Sequence, residues 1–108
     1  MGTLLSQAEA ALRTRAREFS EDVVRPRAAE IDRSEQYPWD IVKALVDARF
    51  LGMTIPVAYG GQGCSFLDTV LVIEEMAKAC TVTARIVVET NMGAVSTIMY
   101  YGTEEQRR

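Results

Sequence analysis

Phe66-Leu67-Asp68-Thr69-Val70-Leu71-Val72-Ile73-Glu74-Glu75-Met76-Ala77-Lys78-Ala79 is the stretch that decides the fold. Leu67, Val70, Leu71, Val72, Ile73, Met76 and Ala77 put apolar atoms on nearly every side of a helix, which is the pattern of a helix surrounded by others. Ser65, with Asp68 three residues on, caps its start. A glycine-rich loop, Tyr59-Gly60-Gly61-Gln62-Gly63, feeds it, and after Cys80-Thr81 a second long helix is predicted over about Thr83 to Tyr101. Any chemistry belongs where these three pieces meet.

Upstream, Ser6-Gln7-Ala8-Glu9 matches a capping box. Leu12, Ala16, Phe19 and Val23 then recur at helical spacing, with charged residues on the other faces, so an amphipathic helix is predicted. Pro26 should break or kink it near Arg25, leaving Arg27 to Ile31 as a further turn or two. Pro38 suits the first turn of the next helix, which should carry Trp39, Val42, Leu45 and Val46 on one side. Gly52 is positioned to close that helix in the left-handed conformation. Met53 to Pro56 reads as a short extended piece and Val57 to Ser65 as a loop.

The chain of 108 residues fits one domain, 48% hydrophobic and 25% charged, values that argue against wholesale disorder. A net charge of -3, with no long block of one sign, gives no footprint for nucleic acid. Cys64 and Cys80 lie far apart in a chain without histidine, so reduced packing thiols are expected, with no metal site and no cysteine nucleophile. No apolar run reaches the roughly 18 to 20 residues needed to span a bilayer, and no secretory signal is legible. The expected location is therefore cytoplasmic, or an organelle matrix after processing, without membrane insertion.

Three local features have competing readings. Gly60-Gly61-Gln62-Gly63 lacks the preceding strand and the Gly-Lys-Ser/Thr ending that a phosphate cradle requires, so a tight connection is the stronger reading. Glu74 and Glu75 point about 100 degrees apart on a helix and cannot converge on one atom as a catalytic pair. Arg85, Glu89, Met92, Gly93 and Ser96 form a stripe along the last helix. Arg85 and Glu89 read either as an exposed ion pair worth a few tenths of a kcal/mol or as the edge of a surface that Gly93 lets another helix or a ligand approach.

Gly102 closes that helix, and Thr103-Glu104-Glu105-Gln106 is a further capping box followed only by Arg107 and Arg108. A helix started there leads to the expectation that the chain is a segment of a longer protein, or a subunit whose last turn docks on a partner. With no convincing strand pattern, the predicted fold class is all-α, with four main helices and a glycine-rich loop.

Taken together, Val24-Arg25-Pro26, Ala28-Ala29-Glu30-Ile31-Asp32, Tyr37-Pro38, Leu51-Gly52-Met53, Ile55-Pro56, Tyr59-Gly60-Gly61-Gln62-Gly63, Glu74-Glu75-Met76-Ala77 and Tyr101-Gly102-Thr103-Glu104-Glu105-Gln106 follow one another as in a known family. Over nearly its whole length the chain resembles the N-terminal helical domain of the flavin-dependent acyl-CoA dehydrogenases. That resemblance implies FAD and an acyl-CoA thioester, a carboxylate that removes the α-proton, and hydride transfer from the β-carbon to flavin N5, giving an enoyl-CoA. It also implies an electron acceptor such as an electron-transfer flavoprotein, and a homo-oligomer, usually a homotetramer.

The base and most FAD contacts belong to the family's middle β domain and C-terminal helical domain, absent from residues 1–108, so no catalytic residue is assigned here. Carried onto this chain, the family pattern makes Arg85, Val88, Glu89 and Met92 substrate-binding. Counting from Glu75 and counting back from Gly102 differ by one residue, so Val88 and Glu89 compete for one pocket position. A carboxylate at 89 in an apolar tunnel would need a partner such as Arg85 or water, or would be substantially neutral. It would suit a short, polar or unusual acyl group. Two other readings stand beside this one: a non-catalytic helical interaction module of the same fold, and a superfamily member with altered chemistry, an oxidase or a reductase.

Overall fold

The computed structural model describes residues 4–108, and among them the chain is all-helical. Helix α1 (Gln7–Phe19) starts at the predicted box, with the Ser6 amide donating to Glu9 Oε1 at 2.8 Å and the Glu9 amide to Ser6 Oγ at 3.1 Å. Of the break or kink predicted near Arg25, the chain shows no break, and the interruption of regular α-helix lies just upstream. A π-helical segment, Ser20–Val24, carries the chain directly into α2 (Arg25–Ser34), with Pro26 in the first turn of α2. The Arg25 amide bonds to the Ser20 carbonyl, five residues back. This wider turn absorbs both the missing amide and the ring of proline, which a regular α-helix cannot do.

Helix α3 (Trp39–Asp47) begins just after Pro38. Its buried side is Ile41 and Leu45, with Val42 half-buried, whereas Trp39 and Val46 face outward at 70% and 55% exposure. The expected apolar side was therefore rotated: Trp39 sits edge-on to Tyr37 instead of entering the core. Arg49, not Gly52, closes the helix, at φ 64°. The Phe50 amide bonds to the Leu45 carbonyl and the Arg49 amide to the Val46 carbonyl, each at 3.0 Å, which is the Schellman arrangement. It drives the Phe50 ring fully into the core, against Phe19 and beneath the Arg15 guanidinium. Gly52 also has positive φ but lies in the loop that follows.

A short 3-10 turn, Val57–Tyr59, opens the glycine loop. Gly61 lies so close to Ile55 that an added Cβ would fall 2.0 Å from the Ile55 carbonyl oxygen. The close approach is thus loop against loop, and not helix against helix.

Helix α4 (Phe66–Ala77) starts at the Ser65/Asp68 capping box and packs between α1 and α5. Leu71, Val72 and Met76 are buried, while Phe66, Leu67 and Val70 stand half-exposed on the opposite face. The predicted final helix is two, α5 (Thr81–Asn91) and α6 (Ala94–Tyr101), separated at Met92-Gly93. A short α7 (Glu104–Arg107) follows its own capping box. Counting α1 to α2 as one run, the described residues form five principal helices, where four were expected. The molecule measures 40 × 38 × 21 Å, and its short dimension equals two helix diameters of roughly 10 Å. The domain is a wall two helices thick.

Candidate functional site

Helix α5 carries the candidate site because its outer face lines the groove. Thr83, Ala84 and Val87 face the core, while Val82, Arg85 and Glu89 recur at helical spacing on the outside. Tyr37, brought in from the turn between α2 and α3, stands over this outer face. Together with Thr81, Ile86 and Thr90 these residues line a groove of about 400 Å³, within the range of small-molecule sites. Its floor and sides are mainly apolar, and its charged groups are one cation and one anion.

Those two charges are paired. Arg85 Nε donates to Glu89 Oε1 at 2.6 Å, and both side chains remain open to solvent, at 73% and 47%. Both readings of the pair therefore describe the same geometry: it is an exposed ion pair and it sits on the groove. No other acceptor among the described residues bonds Arg85. Of the four residues predicted for substrate binding, Arg85 and Glu89 come together here. Val88 and Met92 do not line the groove; they are half-buried on an adjacent stripe, with the Met92 amide closing the helix onto the Val88 carbonyl at 2.8 Å. Tyr37 went unnoticed as a pocket wall, because it lies far from α5 in sequence and no local pattern announces it.

Two buried polar residues hold α5 and α4 in place: Asn91, which no sequence pattern announces, and Glu75, whose partners the sequence does not reveal. Asn91 is fully buried; its Oδ1 accepts the Met53 amide at 2.6 Å and its Nδ2 donates to the carbonyls of Val87 at 2.8 Å and Phe50 at 3.1 Å. Glu75, 2% exposed, accepts from Arg17 at 2.9 Å and from Lys78 at 3.0 Å, while Ser20 Oγ donates to its carbonyl at 2.7 Å. Burial pushes the Glu75 carboxyl up, but the bonds from Arg17 and Lys78 outweigh it and hold the group below the usual carboxylate range. Glu74 is exposed, so the two glutamates do not face each other.

The glycine loop offers no cradle for a nucleotide. The amides of Gly60, Gly61, Gln62, Gly63 and Cys64 all bond to carbonyls of the same region, those of Val57, Pro56, Gly52, Ile55 and Met53. With these donors spent, the loop cannot take a pyrophosphate. These residues do not fit a flavin by themselves. Burial, followed by the Asp68 charge, raises the Cys64 thiol, which makes it a poor nucleophile. Among the described residues no group of histidine, cysteine and carboxylate side chains gathers to hold a metal, and no helix is long and apolar enough to cross a membrane.

Among the described residues, then, the fold is a two-layer helical wall whose outer face carries an ion-paired, mainly apolar groove. The chain belongs to the acyl-CoA dehydrogenase family: the family model described as "Acyl-CoA dehydrogenase, N-terminal domain" matches residues 6–108. It is 50% identical over 104 residues to a 3-sulfinopropanoyl-CoA desulfinase of Paraburkholderia xenovorans, covering 96% of this chain and 27% of that protein. It is 35% identical over 104 residues to a short-chain specific acyl-CoA dehydrogenase of Clostridium acetobutylicum, covering 96% and 27%. Among solved structures, butyryl-CoA dehydrogenase of Megasphaera elsdenii superposes with a TM-score of 0.85 at 25% identity, covering 99% of this chain and 29% of that one. The chain thus spans about a quarter of the length of the curated relatives it matches.

Proposed function

We propose that this domain walls the acyl end of the substrate pocket in a flavin-dependent acyl-CoA enzyme whose substrate is a short thioester with an anionic tail, of the 3-sulfinopropanoyl-CoA type. The observation that carries the reading is Arg85: a guanidinium on an otherwise apolar groove, with both Nη groups free of protein partners among the described residues. A planar guanidinium matches a two-oxygen anion and binds it through charge-assisted hydrogen bonds. An unsubstituted alkyl tail would gain nothing from that charge. The relatives named desulfinases support the same substrate class.

For such a tail the reaction is a desulfination. The bond between the β-carbon and sulfur breaks, the β-carbon takes a proton from water, and sulfur leaves as hydrogensulfite with the hydroxide, so no external oxidant is consumed. Within this chain the contribution is to seat the tail at Arg85 and to exclude water from the acyl chain along Val82 and Ile86. Substrate residues 85 and 89 are retained from the predicted set; Val88 and Met92 support the α5 backbone behind them. FAD, the catalytic groups and the homo-oligomeric contacts are supplied by the remaining domains of the full-length protein.

A second reading is α,β-dehydrogenation of a short acyl-CoA with an electron-transfer flavoprotein as acceptor, favoured by the likeness to short-chain and butyryl-CoA dehydrogenases. One assay separates the two. Full-length protein given 3-sulfinopropanoyl-CoA should release sulfite without an electron acceptor. Reduction of an acceptor by butyryl-CoA, with no sulfite from the sulfino substrate, would overturn the first reading in favour of the second. A colourless protein that turns over neither thioester would leave only a helical interaction module.

A further inference from the structure

Resting on the anionic-tail reading, we propose that Glu89 is a positioning residue for Arg85 and that Gly93 is required because its missing side chain gives the Glu89 carboxylate its seat. An arginine as exposed as Arg85 samples many rotamers, and an anion that binds it must first freeze them. Glu89, one helical turn on, does this beforehand by taking Nε at 2.6 Å. Because that bond uses Nε, both Nη groups stay available, and the guanidinium presents a fixed fork to a tail with two acceptor oxygens.

The second observation concerns the other carboxylate oxygen. A Cβ built on Gly93 would stand 2.6 Å from Glu89 Oε2, and the next atoms it would meet are Glu89 Cδ at 3.5 Å and Glu89 Cα at 3.9 Å. The three nearest atoms beyond the chain neighbours all belong to Glu89. Any side chain at 93 therefore evicts the carboxylate, the movable end of a flexible side chain, while the surrounding backbone stays clear. Gly93 lies just past α5, where it also separates α5 from α6. A helix break alone would not require that its clearance be filled by the partner of Arg85. The triad predicts selectivity for sulfinate-like and carboxylate-like tails over neutral ones, with Glu89 screening the bare cation from unrelated anions when no substrate is bound.

The test uses the full-length flavin-loaded protein, with KM for 3-sulfinopropanoyl-CoA and the dissociation constant of propanoyl-CoA as the neutral comparator. Glu89→Ala and Gly93→Ala should each raise KM for the anionic thioester about tenfold, the scale of a lost positioning contact, with a much smaller change for propanoyl-CoA. Glu89→Gln, which still accepts from Nε, should restore KM to within about threefold of the parent. The double variant Glu89→Ala/Gly93→Ala should be no worse than either single one, because both remove the same contact.

Additive losses in the double variant, an unchanged KM in Glu89→Ala, or equal weakening of both thioesters would overturn the proposal. If Gly93→Ala does not fold, the alanine and glutamine variants at 89 decide it alone. Should the parent protein release sulfite with no dependence on Arg85, the anionic-tail reading itself falls and this proposal with it. Dependence on Arg85 without dependence on Glu89 sinks only the positioning role.

Discussion

Asn91 Oδ1 accepts the backbone amide of Met53 at 2.6 Å, joining the last turn of the pocket helix to the loop that leaves α3. Asn91 Nδ2 donates to the carbonyls of Phe50 and Val87, so one side chain satisfies three buried backbone groups. Asn91→Ala would leave the Met53 amide and the Phe50 carbonyl unpaired in the core. The expected cost is about 2–4 kcal/mol, the scale of unsatisfied buried polar groups. Urea unfolding of parent and variant checks it; a loss below about 0.5 kcal/mol would mean that water reaches these groups.

Glu75 makes stability depend on acid in a predictable direction. Its folded-state pKa lies below the ordinary value of 4.5, because its bonds from Arg17 and Lys78 prevail over burial. A depressed carboxyl contributes stability that is fully present above its unfolded value and is lost as pH falls through its folded value. The contribution should therefore be complete above pH 4.5 and decline below it. Glu75→Gln should lower stability by about 1–3 kcal/mol at neutral pH and flatten the loss below pH 4.5. Denaturation midpoints measured from pH 7 down to pH 3 test this, and parallel curves for parent and variant would contradict it.

The two adjacent loop glycines should respond differently to alanine. Gly60 has φ 86° and nothing near an added Cβ, so Gly60→Ala pays only for the left-handed backbone, about 1–2 kcal/mol. Gly61→Ala would place Cβ 2.0 Å from a backbone oxygen of Ile55, which cannot rotate away as a side chain could. The loop would have to open, at about 3 kcal/mol or more. Thermal melts of both variants test the order, and equal losses would show that the loop is not held against Ile55.

How far the chain could be read without coordinates depends on whether the signal is local. The capping boxes at Ser6, Ser65 and Thr103 stand as read, because such a box is written in residues three apart. The all-helical class and the central place of α4 follow from periodicity in the same way. Pro26 does mark an interruption of regular α-helix, but the π turn at Ser20–Val24 carries the chain across it without the break that was one of the two expectations. Gly52 reads as the helix closer on conformational freedom alone, yet Arg49 takes that place in the left-handed region, with Phe50 buried one residue later. Gly93 was noticed, but a glycine's sequence does not say whether a helix tolerates it or ends there. At the site, Arg85 and Glu89 were legible as an i to i+4 pair. Tyr37, Asn91 and Glu75 act across distances that only the packing reveals.

If the domain seats an anionic acyl tail, Arg85 is the residue that reads it. In full-length protein, Arg85→Met keeps an apolar side chain of similar length on the groove and removes the charge. The measurement is KM for 3-sulfinopropanoyl-CoA against the dissociation constant of propanoyl-CoA. The predicted result is a rise of about a hundredfold for the anionic substrate, the scale of lost charge-assisted hydrogen bonds, with propanoyl-CoA shifting by less than about threefold. An unchanged KM for the anionic substrate, or the same shift for both thioesters, would contradict it.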